Sequence, residues 1–299
     1  MGGKAFEGIT RRILKEEIKP TLNWLTANWS GSKIQGGDYI DHLLGSAGKN
    51  IDSGDLDLNM NIELYNQEEV ANALTTLLGE DHVKPRPGNN QIFTAVPIRG
   101  NEKHGYVQVD FMFGNYAWQA FSYYSPSMPI KPAHWWHLGS GESNFKGLYR
   151  TELIKALVAF NSDWVLEENE EVIARVGPTF FHDRGIVWRY RHRPMRKDGK
   201  GRVKDFAELA KDDFLAIYPS ALTASATVID NPKEVEEFIF RGNYFRNSDL
   251  DSLEAIWYSV TRCFSVQEVA TIKKIYLERL NSLKAEIPVD KFRKMGLRV

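Results

Sequence analysis

The chain is predicted to be an α+β protein, a small mixed sheet flanked by helices and followed by a mainly helical second domain with a strand insertion. Three observations predict it. Apolar residues recur at three- and four-residue steps near the N-terminus, strict alternation marks residues 55–62 and 105–113, and helical periodicity dominates after about residue 203. At 299 residues the chain is long enough for two domains. A composition shift after Asp163 sets the expected division at 1–163 and 164–299.

Taken in order, Phe6, Ile9, Ile13, Leu14, Ile18, Leu22, Leu25 and Trp29 predict a helix over 5–29, kinked or split at Pro20. Residues 30–37 are Gly/Ser-rich and read as a loop, and the apolar pair Leu43-Leu44 leads into Gly45-Ser46. From Asp55 to Ile62, the residues Asp55, Asp57, Asn59 and Asn61 fall on one side of a strand and Leu56, Leu58, Met60 and Ile62 on the other. A helix follows over 68–78, a loop over 79–90, strands over 91–98 and 105–113, an irregular aromatic stretch over 114–141, and a helix over 142–161. Strands are expected over 171–193, with turns at Gly177-Pro178 and Asp183-Arg184-Gly185. Helices are then expected over 203–217, 231–241, 249–262 and 265–284.

A net charge of −1 gives no global field toward nucleic acid or an anionic membrane, so any basic surface must be local. The single cysteine, Cys263, cannot form an internal disulfide and suits a reducing compartment. No apolar run approaches the roughly 20 residues that span a bilayer. Met1 to Phe6 lacks the apolar stretch of a signal peptide. A cytoplasmic protein with no membrane partner is the expectation; oligomeric state is left open.

The chemistry-bearing residues are carboxylates. Asp55 and Asp57 lie two apart on a strand, so both point to one face, about 6.6–6.8 Å apart along it. Two carboxylates so placed are unfavourable unless neutralised, and hard divalent cations with oxygen ligands do this. Asp110, between Val109 and Phe111 on a later strand, supplies a third. Three such acids suffice for a two-ion site that clamps the attacking and leaving oxygens of an in-line displacement. The Gly45-Ser46 turn lets backbone approach a phosphate closely, and Lys49 can add positive charge in the following loop.

The run Leu44-Gly45-Ser46-Ala47-Gly48-Lys49-Asn50-Ile51-Asp52-Ser53-Gly54-Asp55-Leu56-Asp57-Leu58 resembles the polymerase-β-like nucleotidyltransferase superfamily. Ser53-Gly54-Asp55-Leu56-Asp57 is similar to family X DNA polymerases. The Gly-Ser turn followed by Gly48 is similar to minimal and aminoglycoside nucleotidyltransferases. The resemblance covers about residues 38–115. It implies that Gly45 and Ser46 bind the triphosphate of an NTP, ATP among them. It also implies that Asp55, Asp57 and Asp110 bind two Mg²⁺ ions, or Mn²⁺, with Asp110 nearest the acceptor hydroxyl. In similar enzymes a helix after the sheet sends Lys or Arg toward the triphosphate, a role open to Lys146 and Arg150, which share a helix face.

Residues 182–204 hold six arginines and three lysines against two aspartates, a net of +7. Within them Arg189, Arg191 and Arg193 alternate with Trp188, Tyr190 and His192. The cationic face can follow an RNA or DNA backbone, or the aromatic face can stack on bases; packing of the aromatic face into the second domain is the alternative. His134 and His137 lack the partners and spacing of a zinc site. The expected activity is metal-dependent transfer of NMP from an NTP to an acceptor hydroxyl with release of pyrophosphate. A nucleic-acid 3′ end is one acceptor; a small molecule or a protein side chain are others. An inactive nucleic-acid-binding module of the same fold is the competing class.

Overall fold

The computed structural model describes residues 5–29, 42–45, 47–48, 51–123, 145, 147–161, 164–223, 229, 231–241, 250 and 252–297. The protein is mixed α+β, and the chain divides into two compact units. One comprises Met1–Gly147 with His182–Arg184; the other comprises Leu148–Phe181 with Gly185–Val299. The division falls just after the first residue of the helix Gly147–Phe160, whose residues the composition shift groups with the first domain.

The first unit is built on a five-stranded mixed sheet of β2 (Leu43–Leu44), β4 (Asp55–Met60), β7 (Tyr106–Phe113), β6 (Gln91–Pro97) and β5 (Val83–Arg86), in that spatial order. β4 and β7 run parallel; the other pairs are antiparallel. Alternation decides which face is buried. Leu56, Leu58 and Met60 of β4 and Val107, Val109, Phe111 and Phe113 of β7 lie in one apolar core. That core includes Ile18, Leu22 and Leu25 of α1 (Lys15–Asn28) and Val70, Ala71 and Leu74 of α2 (Gln67–Leu78). A period of two therefore sends Asp55, Asp57 and Asn59, with Gln108 and Asp110, to the opposite face.

Several local expectations give way to tertiary pairing. Residues 5–12 are not helical, because the start of β7 offers backbone partners: Arg11 N–H donates to Tyr106 O at 2.8 Å, and Thr10 bridges Tyr106. β1 (Ile13–Leu14) then pairs with β3 (Asp52–Ser53). The helix begins at Lys15, where the Glu17 carboxylate accepts the Leu14 N–H at 3.0 Å and closes the first turn. Pro20 lies inside α1 without splitting it.

The expected loop over 79–90 contains β5, whose Pro85 is tolerated because β5 is an edge strand. The irregular stretch after Phe113 contains α3 (Tyr116–Ser122), capped by the Asn115 side chain, which accepts from Trp118 N–H at 3.2 Å.

The second unit carries an antiparallel sheet in the order β11 (Ala207–Leu209), β10 (Gly185–His192), β9 (Glu171–Phe181), β8 (Trp164–Glu168). β9 runs straight through Gly177-Pro178, where a turn was expected. β8 stops pairing at Val176, so Pro178 lies beyond the doubly paired stretch and its missing N–H is tolerated. Ala207–Leu209 pair as a strand instead of opening a helix at 203, and α5 (Lys211–Ile217) starts later. Phe214, Tyr218 and Ala221 pack with Ala174 and Val176, joined by Trp188 and Tyr190. Helices α4 (Gly147–Phe160), α6 (Val235–Phe240), α7 (Leu253–Cys263), α8 (Val266–Ser282) and α9 (Val289–Lys294) make up most of the remainder. No helix among the described residues is long and apolar enough to cross a membrane.

Candidate metal centre

The parallel register of β4 and β7 sets Asp57 opposite Asp110 and Asp55 opposite Gln108. One carboxylate oxygen from each of Asp55, Asp57 and Asp110 lies within 4.8 Å of the others. Asp110 is only 9% exposed, while Asp55 and Asp57 are half-buried. The cluster thus combines two residues of one strand with one of its neighbour.

Desolvation and the charges of neighbouring acids hold Asp57 and Asp110 toward the protonated form. Burial pushes Asp110 up to about 7; the Gln108 hydrogen bond opposes the shift and the Asp55 charge adds to it. Asp57 is raised well above the ordinary carboxylate range by burial, then by Asp55 and Asp110. Tyr123, at the end of α3, is raised by burial and further by Asp57, Asp183 and Asp110, so its phenol stays protonated beside the acids.

The surroundings fix these side chains. Gln108 Nε2 donates to Asp110 Oδ1 at 2.8 Å, and Gln108 Oε1 accepts the Ala5 N–H at 2.9 Å. On the same sheet face Asn59 donates to Gln119 Oε1 at 2.7 Å, which ties β4 to α3. Gly45 ends β2 with φ +71°, and a Cβ there would meet Asp57 Oδ2 at 3.2 Å. The turn therefore needs glycine both for its left-handed backbone and for its approach to the carboxylate. Gly48 N–H donates to Ser53 Oγ at 3.1 Å and closes the loop that follows.

A small polar cavity of about 110 Å³ opens beside the acids, lined by Ala47, Ser53, Gly54, Asp55 and Asp57 with Arg12 and Asp52. Arg12 binds Asp52 Oδ1 at 2.9 Å. Its guanidinium is held charged first by that hydrogen bond and the Asp52 charge, with a smaller contribution from Asp55.

The donor set fits a hard divalent cation. It is all oxygen, carries three formal charges when ionised, and its ligand atoms already converge. Asp55, Asp57 and Asp110 could hold such an ion.

Of the expected site residues, the structure brings together Asp55, Asp57, Asp110 and Gly45. Ser46, Lys49 and Lys146 lie outside the described residues, as do His134 and His137. Arg150, expected to face a triphosphate, is 2% exposed within the second unit and its Nε donates to Leu250 O. Its helix belongs with that unit, and it is buried there. Arg12 and Gln108 escaped the sequence reading. Gln108 shares the i, i+2 face of Asp110 and was readable in principle; Arg12 reaches the cavity only through the β1–β3 pairing.

Arg189, Arg191 and Arg193 do share one face of the second unit's sheet. Arg189 binds Glu208, Arg191 donates to Thr179 Oγ1 at 3.0 Å, and Arg193 binds Glu171 at 3.0 Å. Trp188 and Tyr190 pack against the Phe214 cluster, so base stacking on that aromatic face is corrected to a packing role.

No model of a known protein family matches the chain, and no curated protein matches it either.

Proposed function

We propose that the protein is a metal-dependent nucleotidyltransferase of the polymerase-β-like kind, joining the α-phosphate of an NTP to an acceptor hydroxyl and releasing pyrophosphate. The convergence of Asp55, Asp57 and Asp110 beside Gly45 carries this reading. In the reaction the acceptor hydroxyl gives its proton to the Asp110 carboxylate, and from there to solvent, as its oxygen forms a bond to the α-phosphorus. The bond from that phosphorus to the β-bridging oxygen breaks, and its electrons leave on pyrophosphate.

Divalent cations, when bound, neutralise the triphosphate and make the acceptor hydroxyl easier to deprotonate. The chain's own residues do the positioning. Asp57, central in the cluster, faces both other acids. Asp110, oriented by Gln108, stands on the strand farther from the Gly45 turn. This is the side on which an acceptor approaches if the turn holds the triphosphate. Gly45 leaves room for phosphate oxygens, and Arg12 presents a cation at the cavity mouth.

The test is pyrophosphate release from each NTP with Mg²⁺ or Mn²⁺ and a panel of hydroxyl acceptors, repeated on Asp57→Asn. Metal-dependent release lost in the variant is expected. Absence of release with every NTP and acceptor, or equal release from the variant, overturns the reading.

A further inference from the structure

The half-buried arginine face of the second unit's sheet holds more guanidinium charge than its acids neutralise. Arg175 of β9 stands directly opposite Arg191 of β10, an antiparallel pair of like charges. Arg189 occupies Glu208, Arg193 occupies Glu171, and Arg202 occupies Glu168. Among the described residues Arg175 has no hydrogen bond or ion pair; its guanidinium lies 4.6 Å from the centroid of the Phe206 ring, which Arg193 approaches at 4.9 Å. The Nε–H groups of Arg175, Arg191 and Arg193 are covered and have no acceptor among the described residues. Burial and neighbouring arginines lower Arg191 to about 10, and Arg175 is lowered for the same reasons. Two facing arginines without an acid between them are unfavourable in the free protein, and an anion relieves that cost.

From this juxtaposition we infer that the Arg175–Arg191 face, with Phe206, binds the phosphodiester backbone of a single-stranded nucleic acid. Three features select that ligand over an isolated phosphate. Arg189, Arg191 and Arg193 repeat at two-residue steps, about 6.6–6.8 Å each, with Arg175 beside Arg191, so the guanidiniums form a row along the strand in which successive phosphates would compete with Glu208 and Glu171 for the two outer members. Phe206 and Phe181 lie beside arginines on the same face, and rings so placed stack on unpaired bases. The acids are already engaged by Arg189, Arg193 and Arg202, which leaves Arg175 without one, while Arg191 has only Thr179 Oγ1 and the cross-strand Glu208 that Arg189 binds. The role of the strand as acceptor rests on the nucleotidyltransferase reading; the binding itself rests on this face alone.

The experiment is fluorescence anisotropy of the full chain with labelled single-stranded RNA and DNA of roughly 16 nucleotides, the upper end of common site sizes. It is run in EDTA without NTP, across a salt series. Arg175→Gln and Arg191→Gln are each expected to weaken binding for every sequence and to reduce the log–log salt slope by about 0.7, one phosphate contact on a single strand. Lys197→Gln, in the neighbouring loop, is the charge control and is expected to bind as the parent does. Photo-crosslinking of a thiouridine-containing strand to the unmodified chain is expected to label peptides within residues 171–209. This keeps the test decisive if a variant fails to fold.

Unchanged affinity and slope in both arginine variants overturn the inference. So do crosslinks confined elsewhere, tighter binding of duplex than of single strand, or binding of inorganic polyphosphate but of no oligonucleotide. Because neither metal nor NTP is present, a failure here leaves nucleotidyl transfer untouched, and a failure of transfer leaves this surface standing.

Discussion

Asp57 and Asp110 face each other across the parallel β4–β7 pair, and the Asp110 charge adds to the burial and the Asp55 charge that raise the proton affinity of Asp57. Adjacent parallel strands bring like charges to one height of the sheet, whereas Asp55 is offset by two residues along β4. The arrangement is unfavourable as a free cluster of anions. That cost is the physical reason to look for a bound cation.

That reasoning predicts how metal-free stability follows pH. An unfolded aspartate titrates near 3.9, whereas native Asp110 titrates at about 7 and Asp57 is also raised. Between those values the native state binds more protons than the unfolded one. Stability therefore falls as pH rises through this window, by at most about 1.4 kcal/mol per pH unit for each carboxyl. In EDTA, melting temperature is expected to rise on going from about pH 8 to about pH 5.5, and excess Mn²⁺ to raise it most at the alkaline end. Asp57→Asn is expected to remove the Asp57 share of the EDTA slope, leaving that of Asp110, and to abolish the Mn²⁺ shift. A profile unaffected by either change counts against a coupled acid cluster.

Gly45 is predicted to be costly to replace, for two separable reasons. Alanine at φ +71° meets a left-handed penalty of about 1–2 kcal/mol, and its Cβ would lie 3.2 Å from Asp57 Oδ2. Gly8, at φ +85° with nothing within 4 Å of where a methyl group would sit, isolates the first reason. Denaturant unfolding should show both Gly8→Ala and Gly45→Ala destabilised, and only Gly45→Ala should lose metal-induced stabilisation. Equal metal responses would mean that the turn does not constrain Asp57.

The sequence made β4, β7, α2 and the acid triad readable because each rests on a local period. Leu56, Leu58 and Met60 have to turn inward together, and Asp55 and Asp57 then have to turn out. What stayed unreadable depends on partners distant in the chain. Residues 5–12 carry a helical stripe but are captured by Tyr106. Val83–Arg86 contain a proline and become a strand only because β6 lies beside them. Arg150 has the charge and spacing of a phosphate ligand, and nothing local announces its burial near Leu250. The alternation at 187–193 gave the two faces of β10 correctly, but only the packing of Phe214 shows which face is closed.

Glu17 ties the N-terminal segment to the start of α1. Its carboxylate is buried, accepts from Arg11 at 2.9 and 3.0 Å and from Leu14 N–H at 3.0 Å, and lies 4.0 Å from Arg99. The Arg11 hydrogen bond leads in holding it below the ordinary glutamate range. Its contribution is therefore present above the unfolded glutamate value, near 4.3, and is lost as pH falls through the lower native value. Glu17→Ala is expected to lower stability by about 1–3 kcal/mol, in the range of hydrogen bonds to charged groups, discounted because Arg11 is partly exposed. Urea unfolding near neutral pH measures it, and a change within about 0.5 kcal/mol would place Glu17 among ordinary surface residues.

Gln108 offers the sharpest separation of positioning from folding. It touches none of the reacting groups; it holds Asp110 Oδ1 with one end and the Ala5 N–H with the other. Gln108→Leu keeps the buried volume but leaves Asp110 free to rotate and more readily protonated, since the hydrogen bond is what lowers its proton affinity. Groups that orient ligating carboxylates commonly contribute about 10–100-fold in metal affinity or activity. The expected outcome is a Mn²⁺ affinity reduced within that range. The pH at which half-maximal metal binding occurs is also expected to move upward, because a more basic Asp110 must lose its proton first. Isothermal titration with Mn²⁺ across pH reads both quantities without turnover. A variant that is merely less stable, with unchanged metal affinity and an unmoved pH midpoint, would assign Gln108 to packing alone.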